Sequence, residues 1–164
     1  MASLTAWKMD TVDGAERLLA ALKQSEAKQL ITIQDGAIVT WDAGKQKPKT
    51  NQLTGTTGAG ALGGAFWGML FGLIFFIPFL GLAIGAAMGA LAGHFADYGI
   101  DDKFIDSVKQ EVTPGTSALF LLSTSTAPDR VIDDVRAAGL NPTLIASNLT
   151  KDQEAQLRSD FGVE

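Results

Sequence analysis

Forty-seven consecutive residues, Thr50 to Ala96, contain no Asp, Glu, Lys or Arg. All 31 charged side chains therefore fall among the other 117 residues, where they make up 26%, an ordinary globular value. Eleven of the 18 glycines lie inside the uncharged block. A chain divided this way reads as one domain of normal size interrupted by an apolar, glycine-rich insert. The expected organisation is residues 1–49 and 97–164 as two halves of one α/β domain, with 50–96 between them.

The insert repeats in fours. Gly60, Gly64, Gly68 and Gly72 form one GxxxG array, and Gly81, Gly85, Gly89 and Gly93 form its mirror image about the Phe76–Ile77 bond. Glycine inside a helix costs up to ~1 kcal/mol against alanine. Eight at fixed spacing need a return, and close backbone approach across a small-residue seam supplies one. The arrangement predicts an antiparallel helical hairpin, a glycine zipper, through which copies of the chain also associate. Leu62, Phe66, Leu70, Leu73 and Ile74 on the first arm, with Ile84, Met88, Leu91 and Phe95 on the second, lie off the glycine stripe and are expected to meet lipid or a neighbouring subunit.

Arms over 56–76 and 79–95 would reach roughly 31 and 25 Å at 1.5 Å per residue, close to the ~30 Å of a bilayer core. Lys45, Lys47 and Lys49 at the entrance place that end in the cytoplasm by the positive-inside rule, and with it both termini. The tip, Phe75, Phe76, Ile77, Pro78 and Phe79, has no polar loop. It fits three placements: the far interface of the bilayer, a wedge within it, or the interior of an assembly of hairpins without lipid.

The flanks read as short elements. Residues 4–9 form a strand, and 12–25 a helix capped by Asp10 or Thr11. The alternating runs 30–34 and 37–41, joined by Asp35-Gly36, predict a two-residue β-hairpin. A polar linker then covers 43–52. Beyond the insert come a helix from Asp101 or Asp102 to Val112, a strand over 117–122, a helix over 128–138, a strand over 142–147 and a terminal helix over 150–161. The order is βαββ, insert, αβαβα. It predicts an α+β fold, a split ferredoxin-like βαββ–αβαβ domain whose insert leaves after the third strand.

Candidate chemistry is thin. The absence of cysteine excludes disulfides, thiolate metal sites and a Cys nucleophile. His94 is the lone histidine and reads as an interfacial residue. Asp97, Asp101, Asp102 and Asp106, like Asp129, Asp133 and Asp134, fall at helical spacings suited to caps and solvated faces, without the glycine turn and bidentate Glu of a hard-metal loop. A GxGxxG match at Gly58, Gly60 and Gly63 lacks the acidic residue some twenty positions on that a dinucleotide site needs. A net charge of −5 does not suit nucleic acid. No enzymatic activity, cofactor, metal or small-molecule substrate is expected.

The paired arrays from Gly60 to Gly93 around Phe75-Phe76-Ile77-Pro78, with their β-α-β-β and α-β-α-β flanks, resemble a bacterial family of uncharacterised predicted membrane proteins, some of them stress-associated. The resemblance implies a bacterial inner-membrane protein with a glycine-zipper hairpin in a small α/β domain. The expected function is that of a non-enzymatic, membrane-anchored homo-oligomer acting as a scaffold or stress-related regulator, its partners being itself and the lipid bilayer. A pore lined by the hairpins and a soluble particle with the hairpins at its centre are the alternatives.

Overall fold

The structure, a computed structural model, describes residues 3–52, 67, 68, 70–76, 100–125, 127–152, 155 and 159. In chain order it contains β1 (Ser3–Met9), α1 (Gly14–Ala27), β2 (Ile31–Thr40), β3 (Lys49–Gln52), a π-helical turn (Gly72–Phe76), α2 (Asp102–Glu111), β4 (Ser117–Ser125), α3 (Pro128–Ala137) and β5 (Thr143–Ser147). The strands form one sheet in the order β3-β2-β4-β1-β5, every adjacent pair antiparallel. The fold is α+β. Lys151, Asp152, Ala155 and Ser159 are helical, in keeping with the terminal helix expected over 150–161.

Strand alternation sends side chains to two separate cores. Trp7, Ile38, Leu119 and Leu121 face α1 and α3, where Leu18, Leu22, Val131 and Val135 meet them. Leu4, Ala37, Val39, Ala118 and Phe120 face the other way, towards α2 with its Phe104, Ile105 and Val108. The helices begin and end for local reasons. Asp101 caps α2, its Oδ1 accepting from the Phe104 N–H at 2.9 Å. Pro128 opens α3, and Gly139 closes it with a φ of +79°, a left-handed conformation that glycine adopts without penalty.

The start of α1 differs from expectation. Asp13 occupies the cap position without a side-chain hydrogen bond, and the capping oxygen comes from another strand. Ser117 Oγ, on β4, accepts from the Ala15 N–H at 2.9 Å and donates to the Thr11 carbonyl at 2.6 Å. This helix end sits tightly on the sheet. A Cβ added at Gly14 would overlap Met9 Cβ and lie 2.9 Å from Thr11 Oγ1. Gly14→Ala is therefore expected to cost roughly 1–3 kcal/mol, as overpacking does, visible as a lower urea midpoint.

α1 and α3 are tied by a polar clasp. The Asp134 carboxylate accepts from Ser25 Oγ at 2.9 Å and from Lys28 Nζ at 3.2 Å. The Ser25 hydrogen bond first, and then Lys28, hold this carboxyl below the usual aspartate value of 3.8. Because the folded state favours the ionised form, the clasp is complete above that value and is lost as pH falls through the lowered one. Asp134→Asn should lower the urea midpoint at pH 7, and the gap to wild type should close as the medium is acidified below the ordinary aspartate range.

Two topological expectations are corrected. The Asp35-Gly36 pair does not turn the chain, and residues 31–40 form one continuous strand, β2. In its pairing with β4, Ile33 stands opposite Ser123 and Asp35 opposite Leu122, so β2 carries one extra residue there, a β-bulge. Glu26 Oε2 accepts the Ile33 N–H beside it at 2.6 Å. The third strand of the expected βαββ unit is thus the second half of β2, and the insert does not leave after it. β3, in the stretch expected to be a linker, instead pairs with Ala37–Thr40 at the sheet edge. The insert separates this edge from α2 and β4.

Candidate functional site: a buried carboxylate beneath the first arm of the insert

The bulge changes which face each residue of β2 presents. Ile31 and Ile33 point towards α1, and without the extra residue Asp35, Ala37 and Val39 would follow them. Instead Ala37 and Val39 face the opposite core, and Asp35 with them. Asp35 has no exposed surface. Its Oδ1 accepts from the Gly36 N–H at 2.8 Å and its Oδ2 from Trp67 Nε1 at 3.1 Å. A buried carboxylate needs such donors in place of water.

Trp67 lies within the uncharged stretch Thr50–Ala96. Residues 67, 68, 70 and 71 are helical and continue into the π turn. Trp67, Leu70, Phe71, Ile74 and Phe75 are between 0 and 6% exposed, packed on the sheet face that Phe120 occupies. The rings form a ladder. Trp67 stacks on Phe71 at 5.8 Å, Phe71 meets Phe120 edge-on at 5.1 Å and Phe75 at 6.1 Å, and Phe75 meets Trp41 edge-on at 6.2 Å. Trp41 Nε1 in turn donates to the Lys45 carbonyl at 2.9 Å. The segment lies on the sheet as a strap, hydrogen-bonded at the Trp67 end and packed through rings along its length.

This corrects the expectation for Leu70 and Ile74, whose side chains meet their own sheet where lipid or a second subunit was expected. Phe75, the first residue of the expected tip, is 6% exposed and belongs to the same cluster. The glycine positions divide. Gly68 is exposed, and among the described residues no atom lies within 4 Å of a Cβ placed there, so the glycine side of the strap points away from the sheet. Gly72 is half-buried where the π turn begins, and Phe76 ends that turn. Gly60, Gly64, Gly81, Gly85, Gly89 and Gly93 lie outside the described residues, as do Ile77, Pro78, Phe79, His94 and Asp97. Lys45, Lys47 and Lys49 are exposed.

Trp67, Phe71 and Phe75 recur every fourth residue beside the glycine stripe, a signal in the sequence equal in regularity to the glycines. Aromatic residues at that spacing on a helix mark a buried face. Asp35 could be found only together with the bulge, since without it an aspartate in a strand-forming run reads as a turn. Among the described residues no three His, Cys, Asp or Glu side chains stand where they could hold a metal ion, and no helix is long and apolar enough to cross a membrane.

Residues 61–162 match the family described as Protein of unknown function (DUF1269). The chain belongs to that family. The matched stretch holds the strap, α2, β4, α3 and β5, whereas Asp35 and its bulge precede it. Within the DUF1269 stretch the donor Trp67 is present, and its acceptor is contributed from outside. No curated protein and no solved structure matches the chain.

Proposed function

We propose that this DUF1269 protein is a non-enzymatic, self-associating module that attaches to the bacterial inner membrane from the cytoplasmic side and acts there as a scaffold or stress-related regulator. Its domain is read as ferredoxin-like. With the edge strand β3 set aside, the order β2-β4-β1-β5 is built from two strand–helix–strand crossovers, β1-α1-β2 and β4-α3-β5, whose helices lie on one face.

The observation that carries the reading is that both ends of the insert are tied into the same domain. Gln52 pairs with Ala37 on one side, and Ile100 is buried beside α2 on the other. An uncharged segment that starts and finishes on one folded body meets a bilayer, if at all, by entering and leaving through the same surface. The docked strap also divides the insert. While Trp67–Phe75 packs on the sheet it is unavailable to lipid, so bilayer contact falls to the remaining uncharged residues, among them 77–96 with the second glycine array. That arrangement favours the wedge over a two-pass span, since the first arm is not free along its full length.

Fractionation of cells carrying the tagged protein, followed by carbonate extraction, tests the attachment, and mass measurement in mild detergent tests the assembly. The expected result is a carbonate-resistant membrane protein of defined oligomeric size with both tags accessible from the cytoplasm. Recovery in the supernatant without detergent, as a large particle, would support the lipid-free assembly instead. That second reading draws on the same docked strap, whose bulky face is already covered. A strict monomer at all concentrations removes self-association and the pore together.

A further inference from the structure

Asp35 is a fully buried acid on the β2 bulge, at a position where the neighbouring face residues are Ala37 and Val39. Each carboxylate oxygen takes a donor of different origin, one from its own strand and one from the insert. A carboxylate at this place selects what lies above it, because burial without a donor is costly and an apolar side chain in place of Trp67 would supply none. The strap it holds is wound as a π turn over Gly72–Phe76. Such turns are rare, occur mostly as single-turn bulges inside α-helices, and are frequent at functional sites. The strap packs on the sheet below it and donates a hydrogen bond to it at its Trp67 end.

We propose that Asp35 is a latch: its carboxylate holds the strap Trp67–Phe76 on the sheet, and opening the latch passes the strap's aromatic edge to a lipid surface. The lipid half rests on the membrane reading above, whereas the latch itself rests on the Asp35 contacts and the buried rings. Asp35 acts here as a positioning residue, and it works through Trp67.

Two variants test it. Asp35→Ala removes both acceptor oxygens, so neither Trp67 Nε1 nor the Gly36 N–H can donate to this side chain. Trp67→Phe removes the N–H and keeps a ring on Phe71. Amide hydrogen exchange is read over 70–76 and, as an internal reference, over Leu119–Leu121 of β4. Flotation is measured with phosphatidylcholine–phosphatidylglycerol vesicles. In both variants strap protection is expected to fall by about tenfold, the size of one lost hydrogen bond. The β4 amides keep theirs, and the vesicle-bound fraction rises above that of wild type. Strap protection that does not change, or that falls only in step with β4, overturns the latch. Vesicle binding by wild type with an unmoved strap in both variants removes the latch and leaves the membrane reading standing. A loosened strap with no vesicle binding by wild type or either variant removes the membrane reading and the lipid half with it.

Discussion

Replacing Phe120 with alanine is expected to destabilise the domain by about 3–5 kcal/mol, the range for emptying a buried aromatic site. Phe120 sits in β4, the central strand of the five, with no exposed surface. Its register partners are Ala6 on β1 and Ala37 on β2, two small residues that leave the space its ring fills. Above it the ring meets Phe71 at 5.1 Å and Trp67 at 6.5 Å, both edge-on. A cavity here cannot collapse from below, because central strands are fixed on both sides, and the alanines have no atoms to move into it. The strap would lose the ring it packs over. Urea unfolding should show the midpoint falling with little change in slope. A loss under about 1 kcal/mol would mean that the site refills, which would place the strap far less firmly than its burial indicates.

Much of the architecture was legible in the chain because its signals are local. The α2 cap at Asp101, the Pro128 start and Gly139 end of α3, and the strands β1 and β5 all follow from residues within a turn of where they act. What escaped depends on residues far apart. The cap of α1 is a serine 102 positions away on β4. The Asp35-Gly36 pair has the chemistry of a tight turn, and only the sheet shows that its aspartate is directed inwards to an indole 32 positions on. One inserted residue in β2 then reverses the face of everything after it. A single regular strand over 31–40 places Asp35 against α1 beside Ile31 and Ile33, so without the bulge the pattern favours a hairpin at Asp35-Gly36.

The facing of Leu70 and Ile74 is hidden in the sequence for a related reason. A helix with glycines on one side and bulky groups on the other has the same pattern whether the bulky side faces lipid or a sheet, since both are apolar. Composition cannot separate the two. The discriminating feature is Trp67, whose N–H needs an acceptor once buried. A buried tryptophan in mid-arm calls for a polar partner that hydrocarbon cannot give, and the chain supplies Asp35.

Leu70→Ala and Gly68→Ala therefore form a contrast that decides what the first arm is. Leu70 is fully buried among Trp67, Phe71 and the sheet residues, so truncating it should cost about 2–5 kcal/mol of domain stability. Gly68 is its near neighbour on the opposite side, where a methyl group meets no atom of the described residues within 4 Å. There alanine adds helix propensity worth up to ~1 kcal/mol. If the arm were a membrane helix independent of the domain, the order would reverse. Leu70 would contribute nothing to the folding of the sheet, and a methyl at Gly68 would press into the seam with the second arm. Urea midpoints for the two variants, measured beside wild type, separate these cases directly. A large loss at Leu70 with none at Gly68 makes the arm part of the domain core. A neutral Leu70 with a damaged Gly68 returns the glycines to the centre of the packing and takes the strap off the sheet.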